Sequence, residues 1–414
     1  MSLPILIGWI GRGLVIVLSL VNTRLLIELV DVEGLAAYAI IVSLAAWLTL
    51  LNLGMPTAVQ NLISSSRANR LDAAKIKSTS LILTCLLFAI FLPLVILIGY
   101  LAWRHLLFKY SFVTPFAVIQ CCIFMLFSAL GLFFTQILYA EHRATVANLY
   151  PVINSGCATI GLSILIWLGE RNFTIATFAC FFPMVIIFIL GFAQVKISVC
   201  FNFDKEIIKQ IWNESKGLLL FSSLSACTLA IDYIVMSNLL EPYDVAVYSL
   251  SSKVFMTVLT LQTVLLSTYW PQISEAMYSG NYILARRKIF SVLKTGLLVG
   301  IVACSTIILM LDWIVPILSG GKVKSVSMEL MLVWSLYILI RIWSDTFSVG
   351  LLSVGKTKVI NSYIPFQAIS SIIAQYIFSA HFGVIGIVLG LVFSFLLTAA
   401  WILPLQFFKL TRAL

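Results

Sequence analysis

One stretch decides the fold: LLFSSLSACTLAIDYIVMSNLLEPYDVAVYSLSSKVFMTVLTLQTVLLSTYWPQI, which runs from Leu219 to Ile273. It is two apolar runs folded back at Glu241-Pro242-Tyr243-Asp244. Each carries one charge near its middle, Asp232 in the first and Lys253 in the second. Asp232 lies nine residues before the turn and Lys253 nine after it. Straight helices rising about 1.5 Å per residue therefore put both roughly 13 Å below the same surface. Such charges cost at least ~2.5–3.5 kcal/mol each if unpaired in hydrocarbon, so each is expected to face a partner or water. Ser225, Thr228 and Asp232 share one helical face, and Ser249, Lys253, Thr260 and Ser267 share one face of the next helix. Two readings stand: an Asp232–Lys253 ion pair with hydroxyls bonding back to their own helix, or two polar faces lining a path through the membrane.

Composition extends this pattern to the whole chain. A mean hydropathy of +1.09, with 61% hydrophobic and only 10% charged residues, excludes a soluble domain, where about 25% of residues are charged. The apolar blocks reach twenty residues or more, enough to cross a hydrocarbon core of ~30 Å as helices. No ten-residue alternation suggests a barrel. The spacing predicts twelve spans, at 3–29, 35–63, 79–103, 112–139, 146–168, 173–195, 217–240, 245–273, 289–318, 327–353, 359–380 and 383–408. Residues 3–29 read as a span and not a cleaved leader, because they lack a basic start and a small-residue cleavage site.

Sixteen basic residues fall in loops on one side, from Arg67 to Arg412, and five on the other: Arg104, Lys109, Arg171, Lys322 and Lys324. Lys and Arg collect on the cytoplasmic side, so both termini are expected there. That rule also accounts for the net charge of +10 without nucleic acid. The eight cysteines avoid the outer loops, and His105, His142 and His381 are scattered. No disulfide framework or metal centre is expected. Residues 196–216, with Trp212 among Lys205, Lys209 and Lys216, read as a short amphipathic helix on the inner leaflet.

The halves echo each other. Ala36-Ala37-Tyr38 matches Ala246-Val247-Tyr248 at an offset of 210, and Asn148-Leu149-Tyr150-Pro151 matches Asn361, Tyr363 and Pro365 at 213 to 214. The expected organisation is an N-terminal six-helix lobe (1–195), a connector (196–216) and a C-terminal six-helix lobe (217–414). A duplication of six spans relates the lobes by a pseudo-two-fold axis along the membrane normal.

Charges inside spans mark the candidate site. Arg12 lies in the inner half of span one, and Arg24 lies in its outer half, four residues before Glu28. In span ten, Trp334, Tyr337, Arg341, Asp345 and Ser348 form one stripe. It reads either as a self-satisfied Arg341–Asp345 pair packed between helices or as an aqueous wall of charge and aromatic faces. The interior cations Arg12, Arg24, Lys253 and Arg341 outnumber Asp232 and Asp345. That surplus suits a phosphorylated ligand, since guanidinium matches phosphate oxygens.

Several motifs carry a family resemblance: Asn22-Thr23-Arg24 with Glu28, Glu33-Gly34 and Tyr38; Ile231-Asp232-Tyr233 with Tyr248-Ser249; Pro271 to Glu275; Gly355 to Lys358; and Arg341-Ile342-Trp343-Ser344-Asp345 with Ala374-Gln375-Tyr376. In this order they resemble the polysaccharide exporters of the MOP superfamily, and most closely the Wzx-type O-antigen flippases. Many relatives place a glycine where Val32 precedes Glu33. The resemblance implies an all-α polytopic, MATE-like fold of twelve helices in two lobes around a central cationic cavity. It also implies a bacterial inner-membrane flippase, not an enzyme, that moves undecaprenyl-diphosphate-linked oligosaccharide by alternating access. Arg24, Asp232, Arg341 and Asp345 are the positions it carries over.

With the stripe and the faces added, Arg12, Arg24, Arg341, Trp334 and Tyr337 are the candidate substrate-binding residues. Asp232, Lys253 and Asp345 are the candidates for gating or ion coupling. No cofactor is expected, with proton or Na⁺ coupling open. Expected partners are the lipid-linked oligosaccharide and membrane lipid, with polysaccharide polymerase and ligase machinery as a candidate, and the chain is expected to act as a monomer. Two alternatives remain: a membrane glycan polymerase or ligase, disfavoured by short outer loops, and a cation-coupled multidrug exporter of the same fold, disfavoured by the basic interior.

Overall fold

The computed structural model describes residues 3–68, 73–141, 143–195, 204–323, 325–353 and 357–412. Arg70, Lys196 and Lys324, and Gly355 and Lys356 of the last loop motif, lie outside that set, as do residues 196–203 of the connector. Among the described residues the regular structure is helical throughout, and ten segments are long and apolar enough to cross a membrane. Two of them, Ile10–Asn52 and Asn361–Thr411, hold 43 and 51 residues. Each would stretch beyond 60 Å if straight, about twice the hydrocarbon thickness. Both are broken instead, at Asp31 (φ 65°) and Gly383 (φ 56°), and dividing them there gives the expected twelve crossings.

The chain packs as two compact units, Met1–Ser223 and Leu224–Leu414. The first holds α1 (Leu3–Thr49), α2 (Met55–Ala68), α3 (Ala74–Leu106), α4 (Pro115–Ala140), α5 (Ala144–Leu168), α6 (Phe173–Phe181) and α7 (Pro183–Gln194). Helix α8 (Lys205–Leu229) carries the chain onward to α9 (Asp232–Leu239), α10 (Pro242–Tyr278), α11 (Tyr282–Ser319), α12 (Met328–Leu352), α13 (Thr357–Leu397) and α14 (Ala399–Arg412).

In the first unit α4 is the central helix, packed on α1, α2, α3, α5, α6 and α7. It is almost wholly apolar, and Leu126, Leu130, Phe133 and Leu138 are fully buried. In the second unit α12 takes that place among α10, α11, α13 and α14. The two helices begin alike, 213 residues apart. The Thr114 hydroxyl accepts from the Ala117 N–H, and the Ser327 hydroxyl from the Leu330 N–H, which satisfies an otherwise orphaned donor of the first turn.

Three expectations change. The span expected at 35–63 is interrupted at Leu53-Gly54, both left-handed (φ 56° and 69°), and resumes as α2. The connector does not form a separate helix on the leaflet. Lys205 to Leu229 is one continuous helix, because no Pro or helix-capping turn separates the amphipathic turns from the apolar ones. The seventh span is itself broken at Ala230–Ile231, so that Asp232 opens a new helix.

Candidate functional site

The stripe on α12 follows from spacing: residues at i, i+3, i+7 and i+11 return to one face of a helix. Arg341 anchors it. Its Nε and Nη2 donate to Asp345 Oδ2 at 3.3 and 3.1 Å, and Nη1 donates to the Tyr337 hydroxyl at 3.0 Å. The guanidinium also lies 5.2 Å from the Phe395 ring of α13 and 5.9 Å from the Tyr337 ring, an arrangement favoured by the ring quadrupoles. The Arg341 and Asp345 side chains keep 17% and 35% of their surface open. A central arginine is thus charge-paired without being sealed.

Below it the stripe is dry. Trp334 and Tyr337 are 0% and 1% exposed. This corrects the expectation that they offer faces to water or substrate. Tyr248 and Phe255 of α10 cover Trp334 at ring distances of 5.3 and 6.1 Å, and Phe395 covers Tyr337 at 5.8 Å. Their part is to carry Arg341. The chain of contacts continues to Asp232, whose Oδ2 accepts from the Tyr248 hydroxyl at 2.5 Å and whose Oδ1 accepts from the Tyr233 N–H at 2.9 Å. Asp232, Tyr248, Trp334, Tyr337, Arg341 and Asp345 therefore form one continuous network from α9 through α10 to α12.

No ion pair joins Asp232 to Lys253. The helix from Asp232 to Leu239 is intact, so Asp232 keeps its depth below the turn, and its carboxylate is taken up by the Tyr248 hydroxyl and the Tyr233 N–H. Asp232 occupies the first turn of α9, where a carboxylate is favoured by the helix dipole. Lys253 is half-buried on α10, beside the buried Ser249. The side chains of Ser225 and Ser267 are outside the described set.

In the first unit Arg12 is exposed and Arg24 half-buried, and among the described residues neither forms an ion pair. Glu28 is exposed and does not meet Arg24. A pair at i,i+4 is worth only ~0.2–0.5 kcal/mol, too little to fix two long side chains. Next to Arg24 lies a polar clamp not anticipated from the sequence. The Asn22 amide donates to the Ser155 carbonyl at 3.2 Å and accepts from the Thr159 hydroxyl at 2.7 Å, tying α1 to α5. The structure thus gathers Arg341, Asp345, Tyr337, Trp334 and Asp232 within one unit, with Arg12 and Arg24 in the other. Among the described residues no group of three or more His, Cys, Asp or Glu side chains could hold a metal.

Membrane-length helices bundled in each of the two units define a polytopic α-helical membrane protein. The fold matches an inward-facing MATE family multidrug transporter of the MOP superfamily with a TM-score of 0.80, at 16% identity and covering 97% of this chain and 96% of that one. A second match, at TM-score 0.63 and 16% identity, is a MOP superfamily transporter from Pyrococcus furiosus described as having a binding pocket of reversed polarity; it covers 99% and 95% of the two chains. More particularly, the model of the family described as polysaccharide biosynthesis protein matches residues 5–277, and the chain belongs to that family. Its relatives include a protein of Yersinia pseudotuberculosis provisionally named O-antigen export protein, 29% identical over 97% of this chain and 94% of its own length. A Salmonella typhi protein provisionally named O-antigen transporter is 27% identical over 98% and 96%.

Proposed function

We infer that this chain is a flippase that carries undecaprenyl-diphosphate-linked O-antigen repeat units from the cytoplasmic to the periplasmic leaflet of the bacterial inner membrane by alternating access, with both termini in the cytoplasm. The coarser statement is plain: the chain is a multi-pass membrane transporter and not an enzyme. The observation that carries the finer one is Arg341. A guanidinium has about five N–H donors, and Arg341 spends three of them within the protein. The others, on a side chain still partly open, suit a phosphate oxygen. Asp345, the more open partner, is displaced when the diphosphate arrives and recaptures Arg341 when it leaves.

In this reading Arg341 of the second unit and, separately, Arg12 and Arg24 of the first are phosphate-binding residues, while Trp334 and Tyr337 support Arg341 from behind. Asp345, Asp232 and Lys253 respond to the change of state, through a proton or Na⁺. The relatives' names support the glycan cargo, and the partly open Arg341 guanidinium supports its charge. The test is reconstitution into liposomes with labelled lipid-linked repeat unit, scored by capture with an impermeant lectin. Wild-type protein should expose the glycan and Arg341→Ala should not. Failure of the wild type to do so overturns the reading, as does a lengthened glycan product, which would mark a polymerase.

A further inference from the structure

In the first unit a cavity of about 280 Å³ opens between α4, α5 and α7. Its lining mixes aromatic side chains, among them Phe127 and Phe188, with Ser128, Tyr150 and Asn154. Two of its polar atoms lack any partner. The Tyr150 hydroxyl, on a residue only 5% exposed, and the Asn154 amide oxygen are both buried without a hydrogen bond. Buried polar groups are nearly always satisfied, and an exception calls for a ligand or an ordered water.

The internal repeat says what stands in this place elsewhere in the chain. The offset of 213 that relates the caps of α4 and α12 also pairs Tyr150 with Tyr363 and Asn154 with Gln367. It sets Ser128 against Arg341 and Leu132 against Asp345. The second unit sets an ion pair at those two positions. The first unit carries a serine and a leucine there, and both line the cavity. The cavity thus stands at the counterpart of a polar pair.

Its chemistry selects an occupant. The volume is at the low end of small-molecule sites, which run from about 300 Å³, so it takes a single ring. An amide oxygen accepts and a tyrosine hydroxyl does either, so the ring must bring hydroxyl or N–H donors beside an apolar face for Phe127 and Phe188. Arg12 follows Gly11, where an added Cβ would lie 3.6 Å from the Asn148 carbonyl, and Asn148 accepts at 2.8 Å from Tyr139, which lines the cavity. Building on the flippase reading, we propose that this cavity is a saccharide subsite, holding one sugar ring of the cargo while Arg12 meets the adjoining phosphate.

The test compares full-length wild type with Tyr150→Phe/Asn154→Leu in lipid nanodiscs. The probe is the lipid-free oligosaccharide released by mild acid from the host's polyprenyl carrier. The double variant removes both unpartnered atoms, so its melting temperature should equal or exceed that of the wild type. Its affinity for the oligosaccharide should fall at least tenfold, and glycan export in cells should fall with it. Ser128→Phe, which fills the cavity from its exposed edge, should act alike. Equal affinity in wild type and variant, or no binding to either, means the cavity holds water only and ends the proposal. Normal export by the double variant sinks the subsite and leaves the flippase standing. Sugar binding lost in the variant, from a wild type that flips no lipid-linked glycan, sinks the flippase and leaves the subsite.

Discussion

Replacing Arg341 separates a carrier of charge from a structural brace. Arg341→Ala removes three interactions at once. The pair with Asp345 lies between the surface and the interior. Because Asp345 is 35% open, water relieves its stranded charge, and the loss is about 1–2 kcal/mol, short of the ~3–5 of a fully buried pair. The contact with the Phe395 ring at 5.2 Å adds roughly 0.5–2 kcal/mol. The Tyr337 hydroxyl, on a residue 1% exposed, is left without its partner, at about 1–3 kcal/mol. The single variant should therefore lose about 2.5–7 kcal/mol in all, read by thermal or denaturant unfolding in detergent. Tyr337→Phe/Arg341→Met/Asp345→Leu removes every stranded group and fills the volume with apolar atoms. Such dry replacements are neutral or stabilising, so unfolding should return to within about 1 kcal/mol of wild type. Glycan export, measured as surface O-antigen in a deletion strain, should stay absent in both variants. Normal export by the triple variant would show that Arg341 only packs the helix, and would refute the reasoning.

Other expectations follow from the same geometry. Tyr248→Phe takes the hydroxyl from the buried Asp232 carboxylate and should cost about 1.5–3 kcal/mol. Pairing it with Asp232→Leu should recover most of that loss, and an unchanged melting temperature in the single variant would contradict the hydrogen bond. Gly390→Ala sets a Cβ 2.6 Å from backbone atoms of Gln375, where the two halves of α13 double back on each other across Gly383. Backbone cannot swing aside, so about 3 kcal/mol or more should be lost, seen as poor accumulation in membranes; ordinary yield argues against that close approach. Glu141→Ala frees Lys77 on α3 and leaves Arg143 held by Gln194 alone. A loss of about 1–2 kcal/mol with export retained is expected, whereas loss of export at unchanged stability would assign this cluster of Lys77, Glu141, Arg143 and Gln194 a functional part.

The twelve crossings were legible because hydrocarbon thickness imposes length and apolarity on every one of them. The stripe on α12 was legible too, since helical spacing alone puts Trp334, Tyr337, Arg341 and Asp345 on one face. Its burial was not. Tyr248, Phe255 and Phe395 seal the two rings from helices about sixty to ninety residues away, and spacing along one helix is blind to that. The break at Ala230–Ile231 had no signal, as neither glycine nor proline marks it, and neither had the Tyr248 hydroxyl that takes up the Asp232 carboxylate. The cavity in the first unit did leave a trace. The Asn148 to Pro151 match shows the duplication, and extending the same offset to Ser128 and Leu132 reveals an ion pair in one half with no equivalent in the other.

The eight residues of α9 are too few to stand as a helix unaided, since isolated helices under ~12–15 residues are marginal. Their order is borrowed from α10 and α13 and from the bond between Tyr248 and Asp232. The seventh crossing therefore has two thermodynamic halves. Loosening those neighbours melts these eight residues and leaves α8 intact across the break, so hydrogen–deuterium exchange confined to α9 will report how tightly the second unit is closed around Asp232.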